Sequence, residues 1–181
     1  MSEIQLLPSR VGHLPESLKI HAPCFPMTAF ESHPLLRNPH VATVIAALWP
    51  RKLRRLQAAT ERLFDVEPGT RLLAKCHWQR NPQHHPTLVL VHGLEGSSES
   101  HYMLGIAEKS FASGFNVLRI NQRSCGGTEH LTPTLYDAGL SRDYRAILEE
   151  LIERDGLSQI SFAGYSMGGN LVLKMTGELG A

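Results

Sequence analysis

Gly164-Tyr165-Ser166-Met167-Gly168 sets a serine between two glycines, after a strand-like apolar run and before a helix-like one. The spacing is the G-x-S-x-G pattern of a nucleophile elbow, where a strand bends sharply into a helix and holds the serine on strained backbone. Bulky side chains would clash in so tight a turn, so small residues flank it. The chemistry open to such a serine is acyl transfer through a covalent intermediate. Ser166 is therefore the candidate nucleophile, and the bland alternative is a tight strand–helix turn that happens to contain a serine. A second motif, His92-Gly93-Leu94-Glu95-Gly96-Ser97-Ser98, closes an earlier apolar run. A tetrahedral oxyanion needs backbone N–H donors, one just after the nucleophile and one from a loop such as this. Met167 and Leu94 are the candidate oxyanion-hole donors. Gly93, Gly164 and Gly168 are the glycines that permit the close approaches. A phosphate loop is the competing reading, but neither G-x-x-x-x-G-K-[ST] nor G-x-G-x-x-G is present.

In this architecture the triad runs serine, then acid, then histidine. No histidine follows Ser166, and the sequence stops at Ala181. The triad acid and histidine are accordingly expected to lie outside this chain. His92 precedes the serine and ends a buried strand, which favours a structural hydrogen-bonding role. His101 and His130 are the other histidines to weigh if a base lies within these residues. Asp143 falls at a helix start, where a carboxylate suits the helix dipole. Asp137 also precedes the serine. Cys125 reads as a loop thiol near the site, not a nucleophile, since no base is evident.

The elements that must position these groups follow from periodicity. "RLFDV" and "RLLAKCHW" flank Glu67-Pro68-Gly69 and predict a strand–turn–strand unit. "TLVLVHG" (87–93), "FNVLRIN" (115–121) and "QISFAGYS" (159–166) are short apolar runs that suit buried parallel strands. Between them, Tyr102, Met103, Ile106, Ala107 and Phe111 recur at helical spacing, with Gly114 as the stop. Leu140, Tyr144, Ile147, Leu148, Leu151 and Ile152 define a second helix face, stopped at Gly156. "MGGNLVLKMTGEL" (167–179) is the helix after the serine. Alternation of this kind gives a mostly parallel sheet with helices on both faces and a site at the carboxyl ends of the strands. Ahead of it, residues 1–40 hold six prolines and read as an extended arm. Residues 41–57 read as a short amphipathic helix broken by Pro50. The organisation expected is an N-terminal arm and helix over 1–58 and part of a catalytic domain over 59–181.

Composition limits the function classes. A net charge of +1 gives no bulk electrostatic case for nucleic acid. Three cysteines without a C-x-x-C pair fit a reducing compartment, and the cytoplasm is expected. The start, MSEIQLLPSR, lacks a signal-peptide pattern. The longest apolar run, 41–49, is too short to span a bilayer. Arg51, Lys52, Arg54 and Arg55 read as the solvated flank of a helix, with weak contact to an anionic membrane surface as the alternative. His84-His85 reads as solvated. Ten histidines fall into no metal-ligand spacing, so neither a metal nor another cofactor is expected.

"LVLVHGLEGSSES", "NQRSCGGTEHLTPTLYDAGLSRDYRAIL" and "FAGYSMGGNLVLK" resemble the α/β-hydrolase superfamily, and within it the YheT-like, or AB hydrolase 4, group. "FPMTAFESHPLLRNPHVATV" resembles the group's N-terminal segment. The resemblance covers most of 25–181. It implies a serine hydrolase acting on short- or medium-chain carboxylic esters or lipids, with the nucleophile at Ser166 and oxyanion donors at Leu94 and Met167. Transfer of the acyl group to an alcohol is the runner-up, and a non-catalytic hydrolase fragment is the reading from a different class. This chain has Arg123-Ser124-Cys125 where the group often has Arg-Gly-Cys, and Ala42-Thr43 where it often has Gln-Thr. The resemblance also implies a core lacking its C-terminal strands and helices. The strand 159–165 would then carry an open edge through which chains self-associate.

Overall fold

Thr87–Val91 (β3) is an interior strand of the sheet and carries apolar residues toward both faces. In the computed structural model, Val89 and Val91 turn to one side and Leu88 and Leu90 to the other. The structure describes residues 31–48, 56 and 58–180, and contacts divide the chain into two compact units, Met1–Trp49 and Pro50–Ala181. In the second unit, Thr60–Glu67 (β1) and Thr70–His77 (β2) form an antiparallel hairpin around Pro68-Gly69, with Gly69 at φ 77°. Asn116–Ile120 (β4) pairs with β2 antiparallel and with β3 in parallel. Ile160–Gly164 (β5) pairs with β3 in parallel, from Thr87↔Ile160 to Val91↔Gly164. The order β1-β2-β4-β3-β5 makes the sheet mixed, with its parallel part at the β4-β3-β5 end. Among the described residues β3 is the only neighbour of β5, so β5 is an edge strand.

Helices cover both faces. His101–Ala112 (α2) buries Met103, Gly105 and Ala107 on the face that carries Leu90 and Val117. Ser141–Glu153 (α3) and Met167–Leu179 (α4) cover the other face, where Tyr144, Ile147, Leu151, Leu171 and Met175 join Phe64, Leu72, Val89, Leu118 and Ile120. Gly114 at φ 90° and Gly156 at φ 66° follow α2 and α3, as left-handed residues do beyond helix ends. Ile152, expected on the apolar face of α3, is half exposed.

The first unit's described helix, Pro39–Leu48 (α1), starts two residues before the expected position. Asn38 Oδ1 accepts from the N–H of His40 at 2.9 Å, and Pro39 occupies the first helical position, where its missing N–H costs nothing. Counting prolines only as breakers obscures that start. The basic cluster Arg51–Arg55 and most of the expected arm lie outside the described residues.

Two further readings change in the structure. His85 is not a solvated residue, for its Nδ1 meets Gly114 O at 2.9 Å, whereas His84 is exposed. Asp143 lies in the first turn of α3 but is buried, and its main partner is Arg123, to which it is bound through both oxygens at 2.6 and 2.7 Å.

Candidate active site

Ser166 joins β5 directly to α4 and lies at φ 50°, ψ −118°. For a residue with a Cβ this conformation costs on the order of 1–3 kcal/mol, and it persists only where its surroundings impose it. They do so here through hydrogen bonds on both sides. The Tyr165 N–H donates to Val91 O at 3.0 Å, extending the β5–β3 ladder to the brink of the turn. The Gly168 N–H donates to Tyr165 O at 2.9 Å, and the Asn170 N–H donates to Ser166 O at 3.1 Å, starting α4 at once. Ser166 itself is exposed.

Glycine is required at two of these positions by contact, not by φ. A Cβ on Gly164 would run into the backbone of Gly168 and Gly169, and one on Gly168 would lie 2.6 Å from Val91 O and closer still to His92 O. The start of α4 therefore touches the end of β3 backbone to backbone. A third glycine closes the site from the other motif: a Cβ on Gly93 would lie 3.1 Å from Tyr165 O and 3.2 Å from Ser166 Cβ. The structure thus brings Gly93, Gly164, Ser166 and Gly168 together, with Leu94 and Met167 each one residue along.

The loop after β3 is held by side chains from two other places and by a backbone bond of its own. The Gly93 N–H donates to the Tyr102 hydroxyl of α2 at 3.0 Å. The Glu95 N–H donates to the Tyr136 hydroxyl at 3.2 Å, with Glu95 at φ 55°. The Gly96 N–H donates to Gly93 O at 3.1 Å. The Leu94 N–H has no partner among the described residues, and its side chain is exposed. The Met167 N–H is the first of α4, where the helix supplies no acceptor. Both motifs therefore leave one backbone donor free.

His92 is fully buried. Its Nε2 lies 3.1 Å from the backbone N of Gln122, a group that can only donate, so Nε2 is the acceptor and Nδ1 carries the proton. Nδ1–H then donates to Gly93 O at 2.7 Å. Burial pushes the imidazole's pKa below its ordinary value, against a smaller opposing effect of the Gly93 carbonyl. With both nitrogens engaged, His92 is a structural histidine, as its position at the strand end suggested. His101 begins α2 and His130 sits in a short 3-10 turn, both exposed. Among the described residues no histidine hydrogen-bonds Ser166. Burial raises the Cys125 thiol to about 11, which keeps it protonated and unreactive.

A family model for the α/β hydrolase fold matches residues 86–179, which span β3 to α4 and both motifs. The chain belongs to the α/β-hydrolase family. It is 31% identical over 138 residues to "Putative esterase YheT" of Escherichia coli (strain K12), across 75% of this chain and 39% of that protein. It is 31% identical over 96 residues to "Phospholipase ABHD3" of Mus musculus, across 53% of this chain and 23% of that protein. The chain thus spans about two fifths or less of the length of these relatives. Among solved structures, the Xanthomonas campestris a/b serine hydrolase XC6422 superposes with a TM-score of 0.57 at 21% identity, over 68% of this chain and 58% of that one. The Pyrococcus furiosus esterase Pf2001 gives 0.55 at 21% identity, over 69% and 49%. At that identity the superpositions speak to the hydrolase fold alone. No helix among the described residues is long and apolar enough to cross a membrane, and no group of three His, Cys, Asp or Glu among them could hold a metal ion.

Tyr102, Tyr136 and Gln122 were not singled out from the sequence as site residues. Tyr102 carried only a helical apolar signal, although its ring also packs against that of Tyr165, tilted by 51° with centroids 4.6 Å apart. Tyr136 and Gln122 lie in loops without periodicity and gave no signal.

Proposed function

We propose that the chain is the nucleophile-bearing part of a serine hydrolase that cleaves carboxylic esters of small acyl groups or lipids. The observation that carries the reading is the strained, exposed Ser166 between β5 and α4, with Gly93 packed against it and free N–H groups at Leu94 and Met167. Ser166 Oγ attacks the ester carbonyl carbon and forms the Oγ–C bond. Its proton passes to a base, and the alkoxide leaves with a proton as the alcohol. The Leu94 and Met167 N–H groups hold the oxyanion of each tetrahedral intermediate. Water then releases the acid and restores the serine. Relatives named as an esterase and a phospholipase support the ester and lipid substrate class.

The base comes from beyond the described residues, because His92 is fully occupied and among the described residues no other histidine hydrogen-bonds Ser166. The 181-residue polypeptide is therefore expected to turn over p-nitrophenyl butyrate only slowly. Oxyanion donors without a complete triad leave about 10³–10⁴-fold catalysis over water. A fluorophosphonate should nonetheless mark Ser166 on prolonged exposure, as mapped by peptide mass spectrometry, and Ser166→Ala should abolish the adduct. Labelling elsewhere that survives Ser166→Ala would refute the nucleophile. Turnover at ordinary esterase rates, lost in Ser166→Ala, would show that a base lies within these residues.

A further inference from the structure

We propose that His92 is a positioning residue: its Nδ1–H, held in one tautomer by the backbone of Gln122, aims the Gly93–Leu94 peptide so that the Leu94 N–H is the loop's outward donor. The inference rests on the reading of Ser166 as a nucleophile and adds what fixes the geometry beside it.

The Gln122 N–H at 3.1 Å leaves Nε2 no choice but to accept, so the single proton of the neutral ring sits on Nδ1. Nδ1–H meets Gly93 O at 2.7 Å, and the Gly96 N–H meets the same oxygen at 3.1 Å. Two donors therefore fix the direction of the Gly93 carbonyl. The Gly93–Leu94 bond is trans, so its N–H points opposite to its C=O. A carbonyl drawn toward the imidazole sends the Leu94 N–H away from it. The flanking groups cannot compete for that role. The Gly93 N–H is taken by Tyr102 and the Glu95 N–H by Tyr136. Burial holds the ring in place, and the Gln122 side-chain nitrogen, 3.3 Å from Nδ1, directs its shorter hydrogen bond to the backbone His92 O at 2.6 Å, so it does not claim Nδ1 as an acceptor. The opposite tautomer would set an Nε2–H against the Gln122 N–H and leave the Gly93 carbonyl short of a donor. Its Leu94 N–H would lose its fixed direction, and an oxyanion would lose a preorganised partner.

The test uses the whole 181-residue chain, labelled with ¹⁵N. Long-range ¹H–¹⁵N correlations of the wild-type ring should show protonated Nδ1 and bare Nε2 at about pH 6.5, where a free imidazole is half charged. An Nε2–H ring, or a doubly protonated one at that pH, overturns the proposal without any variant. His92→Asn keeps a donor near the Nδ1 position, and His92→Ala removes it. The residual dipolar coupling of the Leu94 N–H should hold its wild-type value in His92→Asn and lose it in His92→Ala, while that of Met167 holds in both. A wild-type Leu94 coupling in His92→Ala would mean the peptide keeps its direction without the ring, and the proposal would fail. Equal disturbance at Leu94 and Met167 in both variants would reduce His92 to general packing and overturn it too. If His92→Ala does not fold, the wild-type tautomer and His92→Asn decide alone. Fluorophosphonate reaction at Ser166 is a separate reading. Its failure would remove the nucleophile but leave the tautomer and couplings to judge what directs the peptide.

Discussion

Asp143→Ala should destabilise the Pro50–Ala181 unit by about 3–5 kcal/mol, the cost of leaving a buried charge without its partner. Arg123 and Asp143 are each almost fully buried and meet through two hydrogen bonds, Nε to Oδ2 at 2.7 Å and the second guanidinium nitrogen to Oδ1 at 2.6 Å. The remaining nitrogen reaches Glu67 Oε1 at 2.5 Å and Thr134 Oγ1 at 2.8 Å. One side chain thus ties the β1–β2 turn, the segment after β4, the 132–139 loop and α3 together. Removing Asp143 strands the guanidinium. Urea unfolding followed by circular dichroism would read the loss. The paired replacement Arg123→Met with Asp143→Leu should recover most of it, because apolar residues of similar volume need no partner. A single Asp143→Ala costing under about 1 kcal/mol would mean the pair is not closed in solution. Acid should weaken the same clamp. The Arg123 hydrogen bond holds the Glu67 carboxyl below its ordinary range. A group with a depressed folded pKa contributes stability above its unfolded value of about 4.5 and loses it as pH falls through the folded one. Glu67→Gln should flatten that part of the acid limb.

This clamp marks where the sequence stopped being readable. β3 and β4 were legible because a strand buried on both faces must be largely apolar, and Val89, Leu90, Leu118 and Ile120 declare it locally, while β5, an edge strand, was legible from its short apolar run before Ser166. The turn at Ser166 was legible because its glycines have no other reason to fall on a strand–helix boundary. The Arg123–Asp143–Glu67 contact joins positions far apart in the chain and carries no periodic signal. Asp143 was read by its helix position alone, which accounts for its place in the first turn but not for its burial. The site divides in the same way. Ser166, Leu94 and Met167 were suggested by motif and chain order. The groups that occupy the neighbouring donors, Tyr102 of α2 and Tyr136 of a loop, become visible only once β3 and α2 are packed. α1 shows a smaller version of the same limit, since Asn38-Pro39 is a helix start only when the proline is read by position.

Gly168→Ala should be as damaging as the loss of Asp143, at about 3 kcal/mol or more, and it should act on the site itself. The added Cβ would lie 2.6 Å from Val91 O and 2.9 Å from Val91 C, with His92 O closer than either. None of these is a side-chain tip that can swing aside. Val91 O accepts from the Tyr165 N–H at 3.0 Å, so moving it breaks the last rung between β3 and β5. His92 O accepts from the Gln122 amide at 2.6 Å, so moving it disturbs the ring that faces Gly93. The alternative is retreat of α4, which would carry Met167 and Ser166 with it. Helix propensity pulls the other way, since alanine in a helix gains about 1 kcal/mol over glycine. The same helix supplies the control: a Cβ on Gly177 meets nothing within 4 Å, so Gly177→Ala should be neutral or slightly stabilising. Gly169→Ala, with Gly164 O at 3.2 Å, should fall between them. Thermal unfolding of the three variants would rank them, and fluorophosphonate labelling would show whether Ser166 keeps its place. If Gly168→Ala were as stable as Gly177→Ala and labelled like wild type, α4 could not start in backbone contact with β3, and the strained turn at Ser166 would lose its cause.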